Sequence, residues 1–587
     1  MRMRYGCALL SLAILQCGAL PVHAGRPESP TRSSLTGVAS RVKVVIPPGS
    51  GSSSNGPYPE SLVGTASGRL YFATNFYDGS AVLWLSDGTE AGTVPVKSFP
   101  ASTASIPSLL VLLSIGERPY FVFNDPGTTG LELWTSDGTH SGTHIVKDLT
   151  PGPGGAWPPI LIPQGGQLTI FHEGAPTPAG PQVDLWRTNG TDPGTIQFKS
   201  IGPPATLGPI SFGMGETQYF FISRPGQSLE LWRSDGTTDG TVLVKALGTL
   251  GTLGIRSLRL QTDSLFYFVL TTPTQGNILW RTDGTEDGTF ALKSISPPET
   301  LREELFPAGD VVLFVVTSAS QGTMLWRTDG TVNGTYLAKR LDAQVVAFEN
   351  WVREGNLALF VLLDGPNAEV WKSDGTSAGT VRLDTFGHYV SLMGVQNSNV
   401  LLFSTISQTE KSRIERLSLS GGGKSTVKII PNPYANEPWA NPYLSWVANI
   451  HGKLYFTLNI GGTGPVGREA SLWVTDGTSA GTLLLTNGLS LVDEYVPPYV
   501  PLGADTLLFV AGPITTGPEL WCTRGTPATT RMLQEIQPGI RGSIPSDFRF
   551  VGDRLYFRAY DETQSFQLWS MPANLTCPPP GEAQQGR

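Results

Sequence analysis

Short apolar runs alternate with glycine- and proline-rich breaks along the whole chain, and no segment keeps a 3.6-residue apolar period for three turns. The runs come in a fixed order. A turn residue precedes a Leu-Tyr-Phe type of run, as in Gly68-Arg69-Leu70-Tyr71-Phe72 and Gly452-Lys453-Leu454-Tyr455-Phe456. A variable polar loop follows, then a Leu-Trp run, an Asp-Gly-Thr turn, and a further run such as Thr143-His144-Ile145-Val146-Lys147. An apolar stretch before the next unit, for example Ser108 to Leu113, supplies a fourth run. Each run has the length and composition of a strand. The pattern therefore predicts an all-β chain of blade-like units with three or four strands each, and no helices.

The unit repeats. Its tryptophans are Trp84, Trp134, Trp186, Trp232, Trp280, Trp326, Trp371, Trp473, Trp521 and Trp569, spaced 45 to 52 residues apart except for one gap of 102. That gap holds a degenerate copy with Leu417 in the tryptophan slot and Gly421 in the glycine slot, which makes eleven units. A period of this length belongs to a propeller, a solenoid or an array. The last unit stops after Leu568-Trp569 without an outgoing strand, and Val42-Lys43-Val44-Val45-Ile46 near the start has the pattern of the missing strand. An N-terminal strand that completes the C-terminal blade closes a ring and removes exposed edges, which favours a β-propeller. Rings typically hold about 4 to 8 blades, so eleven units predict either two rings or one oversized ring.

The turn has a local logic. Asp-Gly is a strong hairpin signal, because glycine accepts positive φ and aspartate bonds the backbone two residues on. Asp87, Asp137, Asp235, Asp283, Asp329, Asp374 and Asp476 are therefore expected to be structural turn residues. Calcium, which needs 6–8 oxygen ligands, would find one carboxylate per turn. The recurring Glu-Leu-Trp-x-Ser-Asp-Gly-Thr pattern, over residues 41–572, resembles the bacterial family named for its ELWxxDGT repeat. That resemblance implies export and a β-repeat fold, and implies no defined activity and no catalytic residues. The chain departs from the pattern at Asn189, which replaces aspartate, and in the tenth unit, where Arg524 replaces aspartate and Thr529 replaces the second glycine.

Composition narrows the function classes. Charged residues make up 15% of the chain and the formal net charge is −8, which excludes a general nucleic-acid binder. Arg2 and Arg4, an apolar stretch to Leu15, and Val22-His23-Ala24 read as a secretory signal over residues 1–24. Residues 25–40 then form a linker and 573–587 a tail, and the mature chain has no apolar run long enough for a transmembrane helix. The expected location is secreted or at the cell surface. Of the four cysteines, Cys522 and Cys577 remain after signal removal and are candidates for a disulfide.

No assembled acid, base, nucleophile or metal set stands out, and no cofactor is expected. Ser420-Gly421-Gly422-Gly423-Lys424-Ser425-Thr426 mimics a phosphate loop, but its spacing is wrong and it sits where other units have a hairpin turn. Two features ride on the repeat. Arg187, Arg233, Arg281, Arg327 and Lys372 each follow a tryptophan by one residue, and Lys97, Lys147, Lys199, Lys245, Lys293 and Lys339 follow by thirteen. Aligned across blades they would form a cationic ladder for an acidic partner, or pair internally with turn aspartates and glutamates such as Glu132. The insertion Pro431 to Tyr443 places Tyr434, Trp439 and Tyr443 among prolines and asparagines, a pattern suited to stacking on sugar rings. The sequence thus predicts an exported, non-catalytic propeller that binds an extracellular polysaccharide or protein. An extracellular polysaccharide hydrolase or lyase, or a structural surface component, are the alternatives.

Overall fold

The computed structural model describes residues 39–577 apart from 51–56, 102–108, 126–128, 153–159, 175–176, 225, 227, 249–253, 263, 273–275, 342–346, 366, 406–410, 435–440, 462–468, 488, 490–498 and 513–516. Among these, strands pair into eleven antiparallel sheets of four. Ten sheets follow chain order, in blades spanning 59–99, 109–145, 160–201, 206–246, 254–295, 300–341, 347–386, 389–431, 441–487 and 500–534. The eleventh combines three strands from 546–572 with Ser40–Lys43 from the start of the described chain. The only helical element among the described residues is a single 3-10 turn, Pro527–Thr529.

The seams decide between one ring and two. Every pair of neighbouring blades shares one buried apolar cluster. The series runs from Leu83 against Phe121 between blades 1 and 2, through Val361 against Leu402 between blades 7 and 8, to Tyr556 against Phe72 between blades 11 and 1. The other eight seams are filled in the same way. The eleven blades therefore form one closed β-propeller. First strands of neighbouring blades come within 8 Å between Cα atoms at several seams, including that of blades 11 and 1, so the first strand of each blade is innermost. With sheets packed near their usual spacing of about 10 Å, an eleven-sided ring sets opposite inner backbones about 35 Å apart.

Closure follows the sequence expectation with a small shift. Ser40, Arg41 and Lys43 pair with Ser570, Trp569 and Leu568. Beyond the ladder, the Gln567 side chain accepts from the Val45 and Ile46 amides at 2.8 and 3.1 Å and donates to the Ile46 carbonyl at 2.8 Å. Arg41 adds an ion pair to Asp561 at 3.0 Å. Cys522 and Cys577 are joined, with Cα atoms 5.8 Å apart, which ties the segment after blade 11 back to blade 10.

Strand order fixes two unlike faces. The first-to-second turn and the Asp-Gly-Thr turn of each blade lie on one face, here the turn face. The second-to-third loops and the blade-to-blade connections lie on the other, the loop face. Within nine of the ten tryptophan blades the indole stands opposite a phenylalanine of the second strand, Ile170 taking that place in blade 3. Phe72 and Trp84 stack at 5.9 Å, Phe268 and Trp280 at 6.2 Å, and Phe456 and Trp473 at 6.2 Å. Such pairs contribute roughly 0.5–1.5 kcal/mol beyond their buried area.

Two blades break the pattern in instructive ways. In blade 8 the residue in the tryptophan place is Glu415, not Leu417. Glu415 lies opposite Leu402 and directly after the bulge, as Trp473 lies opposite Phe456 and directly after the bulge in blade 9. Leu417 stands two residues further on, opposite Val400. In blade 10 the two departures are coupled. Elsewhere the second glycine lies against the turn carboxylate, so that a Cβ on Gly142 would stand 2.0 Å from Asp137 Oδ1. With Arg524 in place of that aspartate, a side chain fits, and the Thr529 hydroxyl accepts from the Arg524 and Thr526 amides at 3.2 and 3.3 Å.

Candidate functional site

The named motif is consumed by its own turn. Asp137 Oδ1 accepts from the Thr139 amide at 2.9 Å and hydroxyl at 2.7 Å, and the Thr139 hydroxyl accepts from the Gly142 amide at 3.0 Å. Thr143 donates to the Thr139 carbonyl at 2.6 Å, and Ser136 accepts from the Gly138 amide at 3.0 Å. The same network recurs around Asp87, Asp235, Asp283, Asp329, Asp374 and Asp476, and around Asn189. The Thr139 hydroxyl and amide hold the Asp137 carboxyl below the usual carboxylate range. The first glycine has a second duty. Gly138 has φ +93° and lies against the Tyr71 hydroxyl of the preceding blade, as Gly330 lies against that of Tyr267 and Gly525 against that of Tyr455. Burial pushes Tyr267 and Tyr455 up to about 12.

The basic stripe is absorbed as well. Arg281 pairs with Asp283 at 3.0 Å and Arg327 with Asp329 at 3.4 Å. Their guanidinium groups lie over Phe290 and Tyr336 at 4.8 and 5.0 Å. Arg233 acts electrostatically on Tyr219 and Asp235, Arg187 is half-buried opposite Ile196, and Lys372 donates to the Leu419 carbonyl of blade 8 at 2.5 Å. Five of the six lysines thirteen after tryptophan reach the next blade, Lys147 through Asp192 and Lys293 over the Trp326 ring. Lys97 donates to Thr143 O at 2.9 Å, Lys245 to Glu286 O at 2.9 Å and Lys339 to Thr380 O at 2.6 Å. Lys43 on the closing strand makes the equivalent bond to Thr93 O at 2.8 Å, so the seam at the termini is strapped like the rest. The Glu132–Lys147 pair suggested by the sequence is not formed. Lys147 reaches Asp192 at 2.6 Å instead.

Glu132 has a different task. In two of the three Glu-Leu-Trp copies the carboxylate holds the connection that leaves the fourth strand, while Glu230 accepts from Arg224 Nε and Trp232 Nε1 instead. Glu519 accepts from the Ile536 and Gln537 amides at 3.0 and 2.9 Å. Glu132 accepts from the Leu149 amide at 3.3 Å, and its second oxygen is buried without a partner. Burial pushes its pKa up to about 7. A raised carboxylate pKa adds stability that is present below the unfolded value and lost as pH rises through the folded one. Stability should therefore fall by about 3 kcal/mol between pH 4.5 and 7.5 from this group. Urea denaturation at pH 5 and pH 8 should show that fall in the wild type and a flattened dependence in Glu132→Gln. An unchanged pH dependence in the variant would remove Glu132 as its source.

What the repeat leaves over lies on the loop face. The first strand of blade 9, Asn441–Ile450, starts there and follows the Pro431–Tyr443 connection. Tyr443 is 41% exposed on this strand, at the mouth of the central opening. Its neighbour Leu444 packs toward blade 8, so Tyr443 is turned toward blade 10. Tyr434 is half-buried, its amide donating to Asn432 Oδ1 at 2.9 Å. Trp439 lies outside the described residues. On the neighbouring inner strand Tyr389, 40% exposed, donates to Glu349 of blade 7. Sequence reasoning missed this second tyrosine, since nothing in the repeat marks the start of an inner strand. Ser420 to Gly423 lie in the turn between third and fourth strands of blade 8, as their place in the repeat indicated, and Lys424 to Thr426 open the fourth strand.

No family model and no curated protein matches the sequence. Solved structures with similar folds include the β-propeller domain of the Trilobed protease from Pyrococcus furiosus, at 13% identity over 54% of this chain and 95% of that one, with a TM-score of 0.28. An oligogalacturonate lyase in complex with manganese matches at 10% identity over 63% and 96%, with a TM-score of 0.29. A puromycin hydrolase matches at 14% identity over 71% of this chain, which spans 62% of that protein's length, with a TM-score of 0.26. Likenesses at this level carry no argument about activity.

Proposed function

We propose that this protein is an exported, non-catalytic binding scaffold that recognises an extracellular glycan through its loop face. The observation that carries this is the exposed Tyr443 ring. It is held on a rigid inner strand at the mouth of the ring, directly after the repeat's longest insertion. Aromatic rings fixed on a scaffold offer large, pre-ordered contact area to sugar faces. The Cys522–Cys577 bond supports export, because such bonds persist in oxidising compartments. The sequence also pointed to an acidic partner. The turn-face cations do not support that face as its site, because Arg281 and Arg327 are spent on the adjoining aspartates.

The test is glycan-array and calorimetric binding of the full chain beside its Tyr443→Ala variant. Loss of the ring should weaken glycan binding about tenfold, the upper end expected for one aromatic contact. Equal binding by both proteins would move the site elsewhere. A preparation that depolymerised a polysaccharide would replace this proposal with the enzymatic one.

A further inference from the structure

We propose that the seam between blades 7 and 8 is a binding site for a carboxylated sugar. The ligand class rests on the glycan proposal above, while the site stands on its own observations. Ten blades place an indole at the seam toward the preceding blade, and most back it with a phenyl ring from the second strand. Blade 8 has neither. Glu415 replaces the indole and Leu402 the phenyl ring. The motif Glu-Leu-Trp becomes Arg413-Ile414-Glu415. A cation thus occupies the glutamate position, and a carboxylate the tryptophan position.

Register puts the polar groups on one face. Arg413, Glu415 and Leu417 alternate along the third strand, opposite Ser404, Leu402 and Val400 on the second, and Leu402 and Leu417 pack toward blade 7. Arg413, Glu415 and Ser404 are therefore turned toward blade 7 too. There His388 lies within the electrostatic reach of Glu415, Lys424 and Arg413. Lys424 closes one end, 3.5 Å from Asp384 and over the Phe386 ring at 4.3 Å.

Apart from Lys424, each of these groups keeps an unmatched polar atom. Glu415 is 3% exposed, yet its Oε2 has no hydrogen-bond partner. Arg413 Nε, His388 Nε2 and Ser404 Oγ are also buried without partners. A buried carboxylate oxygen left unmatched is costly, and a donor arriving from outside would satisfy it. The guanidinium offers a planar fork for a carboxylate. Glu415, Ser404 and neutral His388 offer acceptors and donors for hydroxyls. Glu415 also opposes a more highly charged anion such as phosphate. One carboxylate beside several hydroxyls is the chemistry of a uronic acid residue.

The variant Glu415→Trp restores the residue found in the other blades and removes the carboxylate. Calorimetry with galacturonate, its short oligomers and the matching neutral sugars should show wild-type preference for the acidic ligands of at least tenfold. Glu415→Trp should abolish that binding with unchanged circular dichroism and no loss of thermal stability. Arg413→Gln, which cannot clash, should erase the acidic preference alone. Uronate binding that survives Glu415→Trp and Arg413→Gln but falls in Tyr443→Ala would overturn the seam and leave the glycan proposal standing. Uronate monomer lost only in Glu415→Trp, with no glycan affected by Tyr443→Ala, would support the seam and overturn the loop-face site. Absence of any uronate binding by the wild type would overturn the seam outright.

Discussion

A chain that begins at Pro47 will keep ten blades, lose closure of the eleventh, and associate with itself. The removed strand buries Val42, Val45 and Ile46, which are 3%, 6% and 0% exposed. Burying three such side chains contributes about 6 kcal/mol. The Lys43 strap to Thr93 and the Gln567 contacts to Val45 and Ile46 go with them. The strand Phe566–Pro572 would then present an open edge of unpaired amides and carbonyls, a template for pairing with another chain. Light scattering should report oligomers where the full-length protein is monodisperse, and the urea midpoint should drop. A monomer with an unaltered midpoint would mean that Ser40–Lys43 does not close the ring.

Replacing both Cys522 and Cys577 with serine should cost about 4 kcal/mol, because the bond closes a loop across a separation of 55 residues and restricts the unfolded chain accordingly. Removing both avoids a free thiol. The loss should be local. Beyond Met571 the chain returns to blade 10, where the Cys577 amide donates to Thr506 Oγ1 at 3.1 Å. Hydrogen exchange should therefore rise in blades 10 and 11 and stay unchanged in blades 4 to 6. Reductant should reproduce the effect in the wild type and leave the double variant unaffected. Equal stability of wild type and variant would contradict the assigned role of the bond.

Strands and turns were legible because each rests on a local rule. Asp-Gly-Thr-x-x-Gly-Thr dictates its own turn, as the bonds around Asp137 show, and the closing strand could be read from an unmatched half-blade at each end. Features that depend on packing between distant residues were not. The choice of one ring over two is written in seam clusters such as Tyr556 with Phe72, which no spacing reveals. Counting back from Gly421 gave Leu417 as the tryptophan equivalent, because three successive glycines hide the register and only the bulge before Glu415 restores it. Spacing leaves open whether the lysines face a ligand or pair internally, and only the packing of blade on blade shows Lys97, Lys245 and Lys339 reaching the next blade's carbonyls. On the loop face, Tyr443 opens the inner strand of blade 9, and only its place at the start of that strand shows it at the mouth of the ring.

The motif thus builds a scaffold, and the positions that depart from it carry the candidate chemistry: Tyr443 at the mouth and Arg413 with Glu415 at the seam. All of this depends on eleven blades in one closed ring. Electron-microscopic averages viewed down the ring axis test that claim most directly. The structure predicts eleven radial densities around a single opening whose facing inner backbones stand about 35 Å apart, as the inter-sheet spacing requires. Two smaller rings, or an open arc with a gap beside blade 11, would contradict it.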